Sequence, residues 1–362
     1  MKFRFVSFSD TKALATKHPQ LRGHFHLLPS DLERNPHITD DFPVFCYMLD
    51  GDQIASHFSS FPDRVYYQDG EYNWAWCGNL FTNPEYRGKG IASALVKEQA
   101  SLFHSKNLAW GGVFSTPEAL RIYERLGFSV PGYASRYLTI KNLSPFLKHH
   151  FANSFMIRTA ESAYGAFLGA ARRILHDDRS FFNDYTIDAQ EIGVTISKSE
   201  LENIKYLQCY HFDDSEVMTH WKMRARNIDR LQIARSRRTG ENSFYLLVRC
   251  REINNKALLG RYKGFKLMTA MDYGRFDLNP SISDAIVSGI MALFFASDAD
   301  ACEVVSSDKN ICRSARRRGM MRIGKGMSFA YCLPSDWDFG ARSADISQWH
   351  LTHYRGDAFA FE

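Results

Sequence analysis

The sequence predicts a mixed α/β fold, an α+β arrangement on one mixed sheet that occurs in two successive copies. Strands and helices alternate after an antiparallel start in the first 141 residues, which indicates strands that pair in both directions. A similar order of elements recurs in the second half. The 362 residues include 28 Phe and 17 Tyr and are 45% hydrophobic, enough apolar material for two cores.

The first half opens with an antiparallel segment. Lys2–Ser7 alternates as a strand does, and a helical stretch with polar breaks follows to about Asn35. Val44–Leu49 and Ile54–Phe58 predict a hairpin, because Asp50-Gly51-Asp52 between them is a strong turn signal. After a break at Pro62-Asp63 the pattern predicts strand, helix, strand, helix, strand, over Tyr72–Asn83, from Ile91, and over Leu108–Phe114, Glu118–Leu126 and Tyr133–Lys141.

The second half predicts a comparable series. Its elements are a helix with a capping box at Ser197 and Glu200, a helix over Asp214–Arg226, strands over Phe244–Arg251, Ala257–Tyr262 and Lys266–Tyr273, a helix over Ser283–Phe295, a strand over Cys302–Ser306 and a helix over Asp308–Arg318.

Three landmarks support an internal duplication. Each lies 192 residues from its counterpart: the helix starts Ile91 and Ser283, the strand residues Trp110 and Cys302, and the closing glycines Gly127 and Gly319. We therefore expect a first domain over 1–141, a linker over 142–154 and a second, degenerate domain over 155–362.

Composition excludes several classes of protein. Seven cysteines without a CxxC pair are typical of reduced thiols and argue against a metal site. No apolar run reaches the ~18 residues of a membrane span, and the opening MKFRFVSFSD lacks the pattern of a signal peptide, so we expect a cytoplasmic protein. The net charge of +5 is small, and the short clusters Arg235–Arg238 and Arg316–Arg318 are typical of solvated surface, which argues against a nucleic-acid partner.

The stretch PEYRGKGIASAL, residues 84–95, carries the first chemical signal. Glycines directly ahead of a helix let an anion approach unpaired backbone N–H groups, and Arg87 and Lys89 add positive charge. The spacing fits neither a Walker loop nor a dinucleotide fingerprint, which would need a third glycine at Ser93. By itself the stretch indicates a diphosphate site or an ordinary charged helix cap.

A second motif, TPEALRIYERLGF over 116–128, decides between them. With it the sequence resembles the GNAT superfamily of acyl-CoA-dependent N-acyltransferases, whose signature Arg/Gln-x-x-Gly-x-Gly/Ala is met by Arg87, Gly90 and Ala92. The later family segment, a helix with an alanine, a tyrosine and a closing Gly-Phe, is matched by Ala119, Tyr123, Gly127 and Phe128. The resemblance covers roughly residues 1–141.

The resemblance implies where acetyl-CoA, or another acyl-CoA, binds as co-substrate. The strand Tyr72–Asn83 would splay from its neighbour, and the pantetheine arm would lie in the gap, paired with main chain at Leu80, Phe81 and Thr82. Many members carry an asparagine where Thr116 stands, so Thr116 is a further candidate contact. The pyrophosphate would be wrapped by Arg87, Gly88, Lys89, Gly90, Ile91 and Ala92.

The implied activity is N-acetyltransferase chemistry without a metal. An amine would attack the thioester in a ternary complex, and Tyr123 would protonate the leaving thiolate. No residue is assigned as the base, because Glu71, Glu85, His57 and Cys77 each have an ordinary structural explanation. We expect the acceptor to be a small-molecule or peptide amine. An aromatic-lined cleft is suggested by Tyr47, Phe58, Trp74, Trp76 and Trp110.

Two alternatives stay open. At the repeat offset Asn279-Pro280-Ser281-Ile282 replaces Arg87-Gly88-Lys89-Gly90, and Ala315 replaces Tyr123, so the second copy lacks both the loop and the acid. Tandem copies of this kind also resemble Fem-type transferases, which use aminoacyl-tRNA. A non-catalytic protein that senses acyl-CoA is the other alternative.

Overall fold

The computed structural model describes residues 1–11, 29–68, 70–114, 116–148, 159–160, 162–164, 166, 178–191, 206, 208, 210–213, 215–225, 228, 230–253, 264–279, 281–324 and 326–352. The chain forms two compact units. Unit 1 comprises Met1–Ala134, Gln208–Asn227 and Met327–Glu362, and unit 2 comprises Ser135–Leu207 and Ile228–Gly326. Each unit is thus assembled from separated segments, whereas the sequence predicts two contiguous domains.

The strands of the described residues range from two residues to fifteen. They are β1 Lys2–Ser7, β2 Pro43–Asp50, β3 Gln53–Tyr67, β4 Gly70–Thr82, β5 Ala109–Phe114, β6 Ser129–Ile140, β7 Tyr185–Glu191, β8 Tyr210–Phe212, β9 Arg230–Ser236, β10 Asn242–Ile253, β11 Phe265–Arg275, β12 Ala301–Ser306, β13 Met321–Arg322 and β14 Met327–Cys332.

The helices alternate with the later strands of each unit. They are α1 Pro29–Leu32, α2 Ile91–Ser105, α3 Pro117–Arg125, α4 Ser144–Leu147, α5 Asp178–Asp184, α6 Glu216–Ala225, α7 Ile282–Ala296 and α8 Lys309–Arg317. No helix in the described ranges is both long enough and apolar enough to cross a membrane.

The sheet of unit 1 runs β1-β2-β3-β4-β5-β14-β6, with β8 added to β3. Every neighbouring pair is antiparallel except β4 and β5, which are parallel. The sequence analysis missed β14, which lies between β5 and the first part of β6: Phe329 pairs with Val113 on one side and with Gly132 on the other. A segment from the end of the chain therefore completes the sheet that the first residues begin.

β3 is longer than predicted, since it continues through Pro62 instead of breaking there. A proline cannot donate a ladder hydrogen bond, so it is tolerated where its main chain faces away from the neighbouring strand. The Asn35 side chain donates to the Pro62 carbonyl over 3.0 Å, which shows that this main chain faces away from β4. The predicted break is wrong for that reason.

Two helices cover one face of this sheet. α2 buries Leu95, Val96 and Phe103, spaced as one helical face, and it packs against β2, β3, β4 and β5. α3 buries Leu120 and Tyr123 on its inner side. These contacts fix both helices relative to the ends of β4 and β5.

The sheet of unit 2 runs β6-β12-β11-β10-β9-β7, and β13 also pairs with β6. Here β6 contributes Ser135–Ile140, and only β11 and β12 are parallel. α7 is apolar around most of its circumference, and Ile286, Val287 and Ile290 are fully buried in the core of this unit.

The structure confirms the duplication. In each unit a long strand, a helix, a parallel strand and a second helix follow one another, and the second of the two parallel strands starts at Ala109 and at Ala301. The closing glycines, Gly127 and Gly319, both have left-handed φ angles, of 82° and 76°.

Some predicted elements fall on residues that the structure does not describe. The helix with the Ser197–Glu200 box and the strand Ala257–Tyr262 lie outside the described residues, as does 12–28 of the helical stretch before Asn35. The helix predicted over Asp214–Arg226 is present as α6, within unit 1.

Candidate active site

The gap between β4 and β5 is the main feature of the site. The two strands pair from Trp74↔Ala109 to Trp76↔Gly111, and the pairing then stops. β4 continues for six residues to Thr82, while β5 continues to Phe114 and stays paired with β14 on its other edge. The strands part, and this end of β4 presents main-chain groups to the gap.

A bulge in β4 accompanies the parting. His57 pairs with Phe81 but Ser59 pairs with Gly78, so β4 has one residue more than β3 over this interval. Asn79, within the interval, has φ of +58°, in the left-handed region that asparagine tolerates better than most residues. A bulge of this kind bends its strand and increases the local twist, which accounts for the divergence from β5.

The register decides which main-chain groups of β4 face the gap. The Asn83 N–H donates to the Ala55 carbonyl of β3 over 3.0 Å. Since backbone groups alternate in direction along an antiparallel strand, Phe81 also faces β3, while Leu80 and Thr82 face the gap. Of the three residues predicted to pair with pantetheine, Leu80 and Thr82 are therefore oriented for it, and the Phe81 main chain points the other way.

The predicted pyrophosphate loop follows immediately. Residues Pro84–Tyr86 form a 3-10 turn, Gly88 and Gly90 both have φ of 75°, and α2 begins at Ile91. A Cβ at either glycine would meet no atom within 4 Å, so the left-handed backbone, and not crowding within the chain, is what requires glycine.

The N–H groups of this loop are available to a ligand. The last turn bond runs from Arg87 N to Pro84 O, and the first helical one from Ala94 N to Gly90 O. The N–H groups in the first turn of α2 therefore have no intrahelical acceptor, as at any helix start, and the positive end of the helix dipole adds to them. An anion, above all a phosphate, is the natural ligand of such a loop.

Two cations flank the loop. Arg87 Nε donates to the Thr82 carbonyl over 3.0 Å, and its guanidinium carbon lies 5.9 Å from the centre of the Phe81 ring. Lys89 Nζ lies 5.3 Å from the centre of the Tyr86 ring. The remaining predicted contacts, Ile91 and Ala92, open α2, where Ile91 is buried and Ala92 is half-buried.

Thr116 and Tyr123 both lie on α3. Thr116 is the N-cap of that helix, and its hydroxyl accepts from the Ala119 N–H over 3.3 Å, which gives it a structural task. Tyr123 is fully buried, with its ring edge-on to Trp110 at 6.1 Å and to Phe128 at 5.1 Å. The structure thus places Tyr123 in the core between β5 and α3.

The predicted aromatic cleft is wrong for four of its five members. Phe58, Trp74, Trp76 and Trp110 are no more than 1% exposed, because they pack against other aromatic rings. Tyr47 alone is half-buried. The tryptophans of β4 are core residues of unit 1.

A cavity of about 170 Å³ lies at the other end of β4 and β5, away from the glycine loop. Asn73 and Leu108 line it at the strand starts, with His37, Asp63 and Lys106 beside them. Two of its polar side chains are paired within the protein: His37 with Asp213 at 2.5 Å and Lys106 with Asp41 at 2.5 Å. Side chains already paired in this way indicate structural roles.

Sequence reasoning missed the bulge at Asn79, although the bulge shapes the site. A bulge depends on how two strands pair, and no local pattern in Trp76–Thr82 distinguishes it from a regular strand. An asparagine inside a β-rich segment was the only local signal, because asparagine tolerates positive φ.

Comparison with known proteins agrees with this geometry. Residues 44–130 match the sequence model of a family described as the acetyltransferase (GNAT) domain. The matched residues include the parted strands and the glycine loop. No curated protein matches the chain.

Three solved structures share the fold. A GCN5-related N-acetyltransferase from Anabaena variabilis is 11% identical, with 92% of this chain and 73% of that chain aligned at a TM-score of 0.53. A GCN5-related N-acetyltransferase from Kribbella flavida is also 11% identical, with 92% of this chain and 70% of that chain aligned at a TM-score of 0.50. Saccharomyces cerevisiae N-myristoyltransferase, with bound myristoyl-CoA, is 10% identical over 96% of this chain and 89% of that chain, at 0.54.

Identities this low show the fold alone. N-myristoyltransferase is a tandem GNAT fold, and the alignment with it extends over nearly all of this chain. Residues 44–130 are therefore similar in sequence to the GNAT acetyltransferase domain, and the chain as a whole shares the tandem GNAT fold.

Proposed function

We propose that this GNAT-domain protein is an acyl-CoA-dependent N-acyltransferase. It transfers an acyl group, in the simplest case acetyl from acetyl-CoA, to a primary amine of a small molecule or peptide. The observation that carries the proposal is the parting of β4 from β5 after Trp76, directly ahead of a loop with left-handed glycines and two cations. An acyl-CoA fits both features, because its long, flexible thioester arm suits the gap between the strands and the diphosphate joined to that arm suits the loop.

The donor is held at two places. Main chain at Leu80 and Thr82 pairs with the amide groups of the pantetheine arm, as an added strand would. The diphosphate lies over the loop, where backbone N–H groups, Arg87 and Lys89 oppose its charge. The diphosphate can come close to the backbone of this loop at Gly88, Gly90, Ile91 and Ala92.

The transfer is a direct attack of the amine on the thioester carbonyl. The carbon–nitrogen bond forms, the carbon–sulfur bond breaks, and the departing thiolate takes a proton, for which Tyr123 is the candidate donor. A backbone N–H at the β4 bulge is suited to stabilise the charge on the carbonyl oxygen. We assign no base to the ammonium proton of the acceptor.

Unit 2 carries no second donor site in this proposal. Where unit 1 has Arg87-Gly88-Lys89-Gly90, unit 2 has Asn279-Pro280-Ser281-Ile282, without a glycine or a cation. Ala315, fully buried, stands in place of the Tyr123 phenol. One acyl-CoA per chain is the expected stoichiometry.

Calorimetric titration with acetyl-CoA tests the proposal. We expect one-to-one binding that is lost in Arg87→Glu, because the new carboxylate repels the diphosphate. Arg322→Glu, the same charge change at an exposed position of unit 2, is the matched control and should bind as the wild type does. A panel of primary amines, with release of free CoA thiol as readout, then tests turnover.

Other outcomes would select the alternatives. Binding of acetyl-CoA without turnover of any amine would favour a sensing protein. Absence of binding to acetyl-CoA and to longer acyl-CoAs would overturn the donor assignment, and a Fem-type reaction with aminoacyl-tRNA would then be tested.

A further inference from the structure

Four side chains form a stacked column that ends at the glycine loop. The Phe45 and His57 rings lie 5.3 Å apart at 26°, and the His57 and Phe81 rings lie 5.4 Å apart at 27°. The Arg87 guanidinium carbon lies over the Phe81 ring, 5.9 Å from its centre. We call Phe45, His57, Phe81 and Arg87 the aromatic column.

The column is a product of strand register. His57 of β3 stands opposite Phe81 of β4, and it stands opposite Tyr47 of β2, two residues from Phe45 on the same face of the strand. Because the bulge in β4 comes just before Phe81, it sets the register that brings this ring over His57.

The column passes from the core to the surface. Phe45 and His57 are 0% and 2% exposed, Phe81 is 38% exposed, and Arg87 is exposed. The inner rings are fixed by packing, so they support Phe81 from beneath. Phe81 would otherwise be a large apolar side chain left half in water.

Arg87 is also held from the side. Its Nε donates to the Thr82 carbonyl, while Ser56 Oγ donates to the Phe81 carbonyl over 2.8 Å and lies 3.0 Å from Thr82 Oγ1. These bonds fix the end of β4 on which the arginine leans. Within the part of the chain that the structure describes, no hydrogen bond is seen from the two terminal nitrogens of the guanidinium, so they are open to an anion. An arginine already fixed in place loses less conformational freedom on binding.

We propose that Phe81 is a positioning residue: its ring, supported by His57 and Phe45, holds Arg87 in the conformation that binds the donor diphosphate. The assignment rests on the proposed function. Phe81 then sets affinity for donors that carry a diphosphate and has no effect on donors that lack one.

The test compares two donors in two backgrounds. Phe81→Leu should weaken acetyl-CoA binding about two- to fivefold, the range of an arginine–ring contact at an exposed site. It should leave binding of S-acetylpantetheine, which has no diphosphate, unchanged. In an Arg87→Ala background, Phe81→Leu should cause no further loss of acetyl-CoA affinity. Phe81→Tyr, which keeps a ring, should bind as the wild type does.

A matched control separates this effect from general loss of packing. Phe5→Leu removes another exposed ring, 44% exposed, from the edge strand β1, and acetyl-CoA affinity should not change. Thermal unfolding of each variant shows that it is folded.

Three results would overturn the positioning role. The first is an equal loss of affinity for acetyl-CoA and for S-acetylpantetheine in Phe81→Leu. The second is a loss of acetyl-CoA affinity that is just as large in the Arg87→Ala background, and the third is no loss of affinity in Phe81→Leu. Titration with inorganic pyrophosphate distinguishes failure of the positioning role of Phe81 from failure of the proposed transferase function. Binding of pyrophosphate that depends on Phe81, without binding of acetyl-CoA, would sink the transferase proposal alone, and a wild type that binds neither would sink both.

Discussion

Arg275 Nη2 donates to Asp308 Oδ2 over 2.7 Å, and both side chains are buried at 4% exposure. The pair joins the end of β11 to the start of α8, beyond Ala270↔Val304, where β11 and β12 stop pairing. Tyr273 and Ser306 add a 2.6 Å hydrogen bond across the same interval. Unit 2 therefore closes its parted strands with its own side chains.

Unit 1 has different chemistry at the equivalent positions. Counting back 192 residues, Arg275 and Asp308 correspond to Asn83 and Thr116, which cannot form an ion pair. β11 even keeps the bulge, since Met271 is left between Leu247↔Asp272 and Val248↔Ala270. The second copy retains the strand geometry of the first, while polar side chains of the protein span the gap between β11 and β12.

Removal of the Asp308 carboxylate should destabilise unit 2. Asp308→Ala leaves the Arg275 guanidinium buried without its partner, at a cost of about 3–5 kcal/mol in the free energy of unfolding. It also removes the N-cap of α8, where Asp308 accepts from the Asn310 N–H over 2.7 Å. Urea-induced unfolding measures the loss. Asp308→Asn keeps the cap and removes the charge, so a wild-type stability for that variant would contradict the importance of the ion pair.

Local signals predicted much of the fold. Gly88, Gly90 and the apolar spacing of α2 are readable because they concern residues close together in the chain. β14 was missed because its six residues are defined by pairing with Val113 and Gly132, about two hundred residues earlier. The bulge and the aromatic column depend on register in the same way, so no single segment predicts them.

The buried carboxylate of Asp213 should make the stability of unit 1 sensitive to acid. Burial alone raises the pKa of Asp213, but hydrogen bonds from His37 and from the Ser215 N–H, with the Lys222 charge, outweigh it and hold that pKa below its usual range. A carboxylate whose folded pKa is lowered stabilises the protein above its unfolded pKa of about 3.9, and that stability is lost as the pH falls toward the folded pKa.

Asp213→Asn tests this contribution. The variant should lose about 1.5–3 kcal/mol in the free energy of unfolding at pH 7, the range for a hydrogen bond to a charged group, and less than that near pH 2. Urea-induced unfolding at pH 7 and near pH 2 measures the loss of unfolding free energy at each pH. An equal loss at pH 7 and at pH 2 would show that packing, and not the charge of Asp213, is what the substitution changes.

The Tyr123 phenol should matter for turnover and not for donor binding. Tyr123→Phe keeps the ring that packs on Trp110 and Phe128, so the fold and acetyl-CoA affinity should be retained. Loss of a proton donor should lower kcat by about 10²-fold or more. Steady-state assays with an accepted amine measure the change. A kcat equal to that of the wild type would leave Tyr123 a core residue and assign the proton to another group.

The Thr116 hydroxyl caps α3 and should contribute to stability through that cap. Thr116→Ala removes the oxygen that accepts from the Ala119 N–H, which should cost about 1 kcal/mol in the free energy of unfolding. Thr116→Asn should keep that stability, because asparagine caps as well as threonine does. Thermal unfolding measures the loss of stability from the missing cap, and calorimetric titration measures the affinity of each variant for acetyl-CoA. If Thr116 touches the cofactor, the alanine variant binds acetyl-CoA more weakly and the asparagine variant does not. Equal affinity in all three proteins would restrict Thr116 to its role as the cap.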